Sequence, residues 1–176
     1  MANSKYEFTG ETKVVFGVVL RQIRALVSFG TIVSGEVGGW IEGEKNLAQV
    51  SGNAWVSGNA WVSGNARVSG NAWVSGNAWV SGNAWVSGNA RVSGDAWVSG
   101  NADLFFAAPL GSRRACLTIH SDIEIGIRFT TGCFSGTEHQ FKKAIQKTHG
   151  DNDFARQYLA AINLALVVVK SAKVAS

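Results

Sequence analysis

Residues 56–73 read VSGNAWVSGNARVSGNAW, and the same six-residue phrase runs from residue 51 to residue 104 with almost no change. Numbered from its aliphatic residue, the hexad is Val, Ser, Gly, Asn, Ala and one variable residue, which is Trp, Arg or Asp. A helix needs apolar residues three and four apart, and a period of six does not supply them. A Gly in every hexad also costs a helix about 1 kcal/mol each time relative to Ala. An antiparallel meander needs longer strands between its turns. A strand of three or four residues followed by a Gly-Asn corner fits, because Gly and Asn tolerate the left-handed backbone that such a corner requires.

In this pattern the chain resembles the hexapeptide-repeat proteins. The resemblance implies a left-handed parallel β-helix with three hexads to a triangular coil. The aliphatic residue would fill the interior, and the small residue two positions before it would also point inward. Both series are present: Val50 and every sixth residue through Val98 to Leu104, and Ala54 and every sixth residue to Ala102. Nine hexads make three coils, a prism ~14 Å tall at the ~4.8 Å strand spacing. Its two ends would expose unpaired backbone and need caps.

The 176 residues divide into an N-terminal β cap with an irregular first coil (1–49), the repeat (50–104) and a C-terminal module (105–176). The first segment reads as the short strands YEF, KVVFGVVL, IRALVSF and TIVSGEVGGWI. Its Trp40-Ile41-Glu42-Gly43 matches the Trp-Val-Ser-Gly phrase, with three extra residues before Val50. LRQIRAL, GGWIE and NL in this flank are similar to the YdcK-like group of bacterial and phage hexapeptide proteins, which implies a phage or prophage setting. In the third segment, CLTIHSDIEIGIRFTTGCF alternates as two strands joined near Ser121-Asp122. TEHQFKKAIQKTHG follows as a helix, with Thr137 as N-cap, Gln140 three residues on and Gly150 as the stop. A second helix starts near Asp151 or Asn152, with Phe154, Tyr158, Leu159, Ile162, Leu166 and Val169 on its apolar face. The tail KSAKVAS is expected to fray. The fold class is mostly β: about three regular coils between an N-terminal β cap and a C-terminal ββαα module.

The variable position precedes the inward aliphatic residue and therefore points outward. With three hexads to a coil, one face carries Trp61, Trp79 and Trp97 as an unbroken ladder. A second carries Trp55, Trp73 and Arg91, where Arg91 can close a cation–π contact on Trp73. The third carries Gln49, Arg67, Trp85 and Asp103. Six outward Trp exceed what solubility asks for, and large exposed apolar patches mark interaction surfaces. Self-association, stacking within the chain and an outside ligand such as a sugar chain all remain open for them.

Many hexapeptide-repeat proteins are acyl-CoA transferases that use a His general base in or near the coils. Here His120, His139 and His149 all lie outside the repeat, so the resemblance to that branch stops at the residue that carries the chemistry. His120 and Asp122 are the one orienter-like pair and read as a local hydrogen bond in a turn. His149, Asp151 and Asp153 read as a helix boundary, not a cation site. No phosphate loop, zinc spacing or nucleophile–base set appears. Cys116 and Cys133 read as reduced thiols, Cys133 as a small buried hydrophobe. No cofactor and no metal is expected.

The net charge of +4 comes wholly from residues 105–176, where nine basic side chains face five acidic ones. That is a mild bias and not a nucleic-acid footprint. A hydrophobic content of 46% with one Pro excludes a disordered composition. Residues 14–20 and 158–169 are too short to span a bilayer, and no secretory signal is read. The expectation is a non-enzymatic, phage-type scaffold that assembles with itself as a trimer, cytoplasmic in a host cell or virion-associated, with neither nucleic acid nor membrane as partner. The alternative is a phage inhibitor of a host defence complex, docking through a basic C-terminal surface of Arg113, Arg114, Lys142, Lys143, Lys147 and Arg156. Carbohydrate binding by the Trp ladder and acyl-CoA transfer rank after these.

Overall fold

The computed structural model describes residues 4–169. Each hexad from residue 55 to residue 98 forms a two-residue strand, its first side chain outward and its Val inward. The strands are β4 (Trp55–Val56), β5 (Trp61–Val62), β6 (Arg67–Val68), β7 (Trp73–Val74), β8 (Trp79–Val80), β9 (Trp85–Val86), β10 (Arg91–Val92) and β11 (Trp97–Val98). Each pairs in parallel with the strand three hexads on, as β4-β7-β10, β5-β8-β11 and β6-β9. The three faces are those the sequence spacing implies. Val56 to Val98 and Ala54 to Ala96, taken every sixth residue, are fully buried and form one continuous core. Gly58 to Gly94 hold the corners at φ of 59–73°. The Asn residues serve differently: Asn59, Asn77 and Asp95 bond in a column, as do Asn65 with Asn83 and Asn71 with Asn89, at 3.1–3.3 Å.

The repeat's first and last members depart from the expected series. Val50 is 73% exposed, and Leu47 stands beneath Val68 in its place. The preceding 3-10 turn, Glu44–Asn46, fixes this, because Asn46 accepts from the Gly43 amide at 2.9 Å and points Leu47 inward. The three extra residues therefore fall after Leu47, and the first coil begins at β3 (Val37–Ile41), which pairs Trp40 with Trp61 and Ile41 with Val62. Gln49 leaves the third face and bonds to the Lys5 and Tyr6 backbone instead. Ala102 is exposed in a second 3-10 turn, Asn101–Asp103.

The N-terminal flank is one long hairpin, β1 (Tyr6–Val15) and β2 (Val18–Ala25), with Phe16-Gly17 at its tip, so KVVFGVVL contains a turn and is not a strand. β2 pairs antiparallel with β3 and extends the first face at its N-terminal edge. Residues 26–36 are a loop, not a strand.

Neighbouring coils bond as parallel strands do, and beside the paired residues Trp55 N donates to Ala72 O at 3.0 Å and Ser57 N to Val74 O at 2.9 Å. Each end of the prism is left with unpaired backbone groups. Buried polar backbone must be paired, and each cap has the matching chemistry. Below, Lys5 Nζ donates to Ala54 O at 3.0 Å, Asn46 Nδ2 to Ala66 O at 2.8 Å and the Tyr6 hydroxyl to Leu47 O at 3.0 Å. Above, Thr118 Oγ1 accepts from Arg91 N and Asn101 Oδ1 from Trp85 N, both at 2.9 Å, and Asp103 accepts from the Ser99 and Gly100 amides.

The lower cap gives the fold an alkaline signature. Burial lowers the Lys5 ammonium to about 8. Between pH 8 and 10.5 the unfolded chain holds a proton that the folded chain has released, so stability rises with pH across that window. Denaturant titrations should show a gain of about 2 kcal/mol from pH 7.5 to 9.5, and none in Lys5→Met. Burial, followed by the charge of Glu44, raises the Tyr6 phenol. That opposes the gain above pH 10, where unfolded Tyr ionises first.

The C-terminal module has four antiparallel strands, not two: β12 (Leu104–Leu110), β13 (Ala115–Asp122), β14 (Gly126–Thr131) and β15 (Phe134–Gly136) in sequential order. The β13–β14 turn comes after Asp122, because the Asp122 carboxylate accepts from the Glu124 and Ile125 amides and builds the turn itself. Helices α1 (Glu138–His149) and α2 (Asp153–Val168) pack on one side, where Leu117, Ile119 and Phe129 meet Phe141, Ile145, Tyr158 and Ile162. Their caps are the expected ones, a Thr137/Gln140 capping box, Gly150 at the α1 terminus and Asn152 for α2. The buried face of α2 differs. Ala155, Tyr158, Ala161, Ile162, Ala165 and Val169 are buried, while Phe154, Leu159 and Leu166 are exposed. The small Ala residues let the helix lie close to the sheet. The sheet's other side seats on the last coil, with Ala96 bridged to Asp122 and Ile123 N bonded to Asp95 O at 3.2 Å. Among the described residues no helix is long and apolar enough to cross a membrane. The tail 170–176 lies outside the described residues.

Candidate functional site

The three outward faces have the same sequence grammar but different surroundings. On the first, Trp61 and Trp79 stack with ring centroids 4.3 Å apart, and Trp79 and Trp97 at 4.8 Å, the spacing of the strands beneath them. The hairpin leans over this ladder: Lys13 Nζ lies 4.4 Å from the Trp40 ring, and Phe16 stacks on Trp79 at 4.9 Å. Phe16 takes a left-handed φ of 48° to do so. The ladder is therefore an internal stack with its own cover, and Trp61 is buried.

On the second face Trp55 is 0% exposed, which corrects its placement on an outward surface. The 26–36 loop folds across it, with Phe29 edge-on at 5.5 Å. Gly38 leaves the necessary space, since a Cβ there would lie 2.6 Å from the indole. Above it, Trp73 is half-buried and its Nε1 donates to Ser57 Oγ at 3.0 Å. Arg91 stands over Trp73 in register, but among the described residues it makes no cation–π contact. Instead a cleft of about 290 Å³ opens between this face and the β14–β15 turn, lined by Trp73, Ser75, Arg91, Ser93, Thr130 and Cys133.

The third face is the least covered. Arg67 is exposed and Trp85 is 59% exposed, with Trp85 Nε1 donating to Ser69 Oγ at 3.2 Å. Phe106 of β12, 40% exposed, lies beside it over Gly88. No signal in the repeat marks Phe106, since only the antiparallel turn of the chain after Leu104 brings it there.

The polar residues of the C-terminal module are committed to structure. His120 is wholly buried between sheet and coil, its Nδ1 donating to Ser121 O at 3.0 Å. Asp122 does not orient it and instead binds Arg128 Nε at 2.6 Å. Burial alone would raise the Asp122 carboxyl, but the Arg128 hydrogen bond and the two turn amides outweigh that and hold it below the usual range. Asp153 pairs with Arg156 at 2.5 Å, and His149 packs on Tyr158. Among the described residues no cluster of His, Cys, Asp and Glu has the geometry to hold a metal ion. Both cysteines are free, and Cys133 is exposed, not buried. Of the six basic residues assigned to one surface, Lys142 is tied to Glu138 at 2.6 Å and Arg156 to Asp153. Arg113 sits instead at the mouth of a second cleft with Cys133, Phe134, His149 and Tyr158. Arg114, Lys143 and Lys147 are exposed.

The YdcK beta solenoid repeat matches residues 48–64, 60–76, 74–88 and 84–100, the segment that forms the coils. With the three-turn solenoid, that match makes this a repeat β-helix protein. No curated protein matches the chain.

Proposed function

We propose that the protein is a non-enzymatic scaffold of phage type that associates with itself side by side as a trimer. The observation that carries this reading is the bare third face, where Trp85 and Phe106 form an apolar patch on a rigid prism. Both ends are capped, so assembly has to be lateral. The hairpin covers the first face, and the 26–36 loop with the C-terminal sheet covers the second. The non-enzymatic part is supported by the occupations of His120, Asp122, His149 and Asp153 in packing, turns and ion pairs. The phage setting rests on the resemblance of the N-terminal flank to the YdcK-like group and on the regularity of the hexads.

Light scattering coupled to size exclusion tests the reading. The intact protein should run at three times its chain mass. Trp85→Ser with Phe106→Ser should run as a monomer, with a melting temperature lowered by only a few degrees because both side chains lie at the surface. A wild-type monomer at high concentration overturns self-assembly. A single host complex retained by that monomer at fixed stoichiometry would replace it with the inhibitor reading.

A further inference from the structure

We propose that the cleft between the second coil face and the β14–β15 turn is a binding site for an acidic sugar, a pyranose that carries a carboxylate. The site is a junction between two modules, where ligand clefts concentrate, and its volume of about 290 Å³ suits a single sugar ring. Three features converge there. Trp73 supplies an aromatic wall, fixed in orientation by its bond to Ser57. An indole face of this kind packs against the C–H face of a pyranose, with its quadrupole favouring that electropositive edge. Arg91, one strand above, is exposed and has no carboxylate partner among the described residues. A planar guanidinium left unpaired beside an aromatic wall matches a carboxylate held by two parallel hydrogen bonds.

The third feature separates a sugar from a plain aromatic acid. Ser75 and Ser93 line the cleft with two hydroxyls, and Ser135, which accepts from Arg128 at 3.4 Å, adds a third. A lining this rich in hydroxyls calls for a ligand rich in hydroxyls. The inference moves sugar recognition away from the Trp61–Trp79–Trp97 ladder, whose faces are occupied by each other and by Phe16.

The Trp73 indole N–H resonance, assigned by its loss in Trp73→Phe, reports binding directly. Glucuronate, its neutral parent glucose and benzoate are the probes. Glucuronate should shift the resonance saturably at millimolar concentration and slow the labelling of the exposed Cys133 thiol at the rim. Glucose should bind roughly tenfold to a hundredfold more weakly, the worth of a hydrogen bond to a charged group. Arg91→Gln, a surface change, should bring glucuronate down to the level of glucose while the melting temperature stays put. No saturable shift with glucuronate overturns the proposal. So does an equal affinity for benzoate, or a preference over glucose that survives Arg91→Gln.

Discussion

Trp55→Ala should destabilise the protein by about 3–5 kcal/mol, the cost of emptying a large buried aromatic site. Trp85→Ala should cost the single chain, measured in the Phe106→Ser background, about 0.5 kcal/mol, as surface substitutions do. Both residues sit in the same local phrase, Asn-Ala-Trp-Val-Ser-Gly, so nothing nearby distinguishes them. Their difference within the chain comes from residues 26–36, which close over Trp55 with Phe29 and leave Trp85 uncovered. Equilibrium denaturation of the two variants measures it. Equal losses would mean that the loop does not cover the second face in solution.

Acid should loosen the junction between coil and C-terminal module through His120. Burial dominates its titration and lowers it to about 4. The bond to Ser121 O and the charge of Asp122 raise it, and Arg128 adds to the lowering. Among the described residues its Nε2 has no partner, so the neutral ring is the form the site accepts. Between pH 4 and 6.5 the unfolded chain binds a proton that the folded chain refuses. Stability is therefore complete above pH 6.5 and falls as the pH drops toward 4, by about 3 kcal/mol. His120→Phe should flatten that slope in denaturant titrations at pH 6.5 and 4.5. Asp122 acts at lower pH, its carboxylate contributing above its usual value and losing that contribution once protonated. A slope unchanged in His120→Phe would assign the acid sensitivity to other groups.

The coil phase was legible because the six-residue period fits a short strand and a corner, and the resemblance to hexapeptide-repeat proteins implies three hexads to a coil. Trp61 under Trp79 and Trp55 under Trp73 follow from that by counting. The α1 and α2 termini were legible for a similar reason, since Thr137, Gln140 and Asn152 act on amides only two or three residues away. What the sequence hid depends on contacts between distant segments. Val50 carries the repeat's residue type, but a three-residue turn upstream gives its place to Leu47. The α2 face was misjudged by weighting large side chains, when Ala155, Ala161 and Ala165 set the distance to the sheet. The Thr130 cleft joins coil residues to a strand almost forty positions later, and no local pattern announces it.

The register of three hexads to a coil turns the repeat into a ruler with a single unit of measure. Three added hexads restore every amide and carbonyl to its place and move the two caps apart by ~4.8 Å. One or two added hexads would turn the upper cap by a third or two thirds of a revolution. Thr118 would then face a rung other than that of Arg91, and Asp122 would miss Ala96. A change of length that keeps both caps seated therefore comes in steps of one whole coil: the length of the prism is free to vary, but the orientation of its two ends is not.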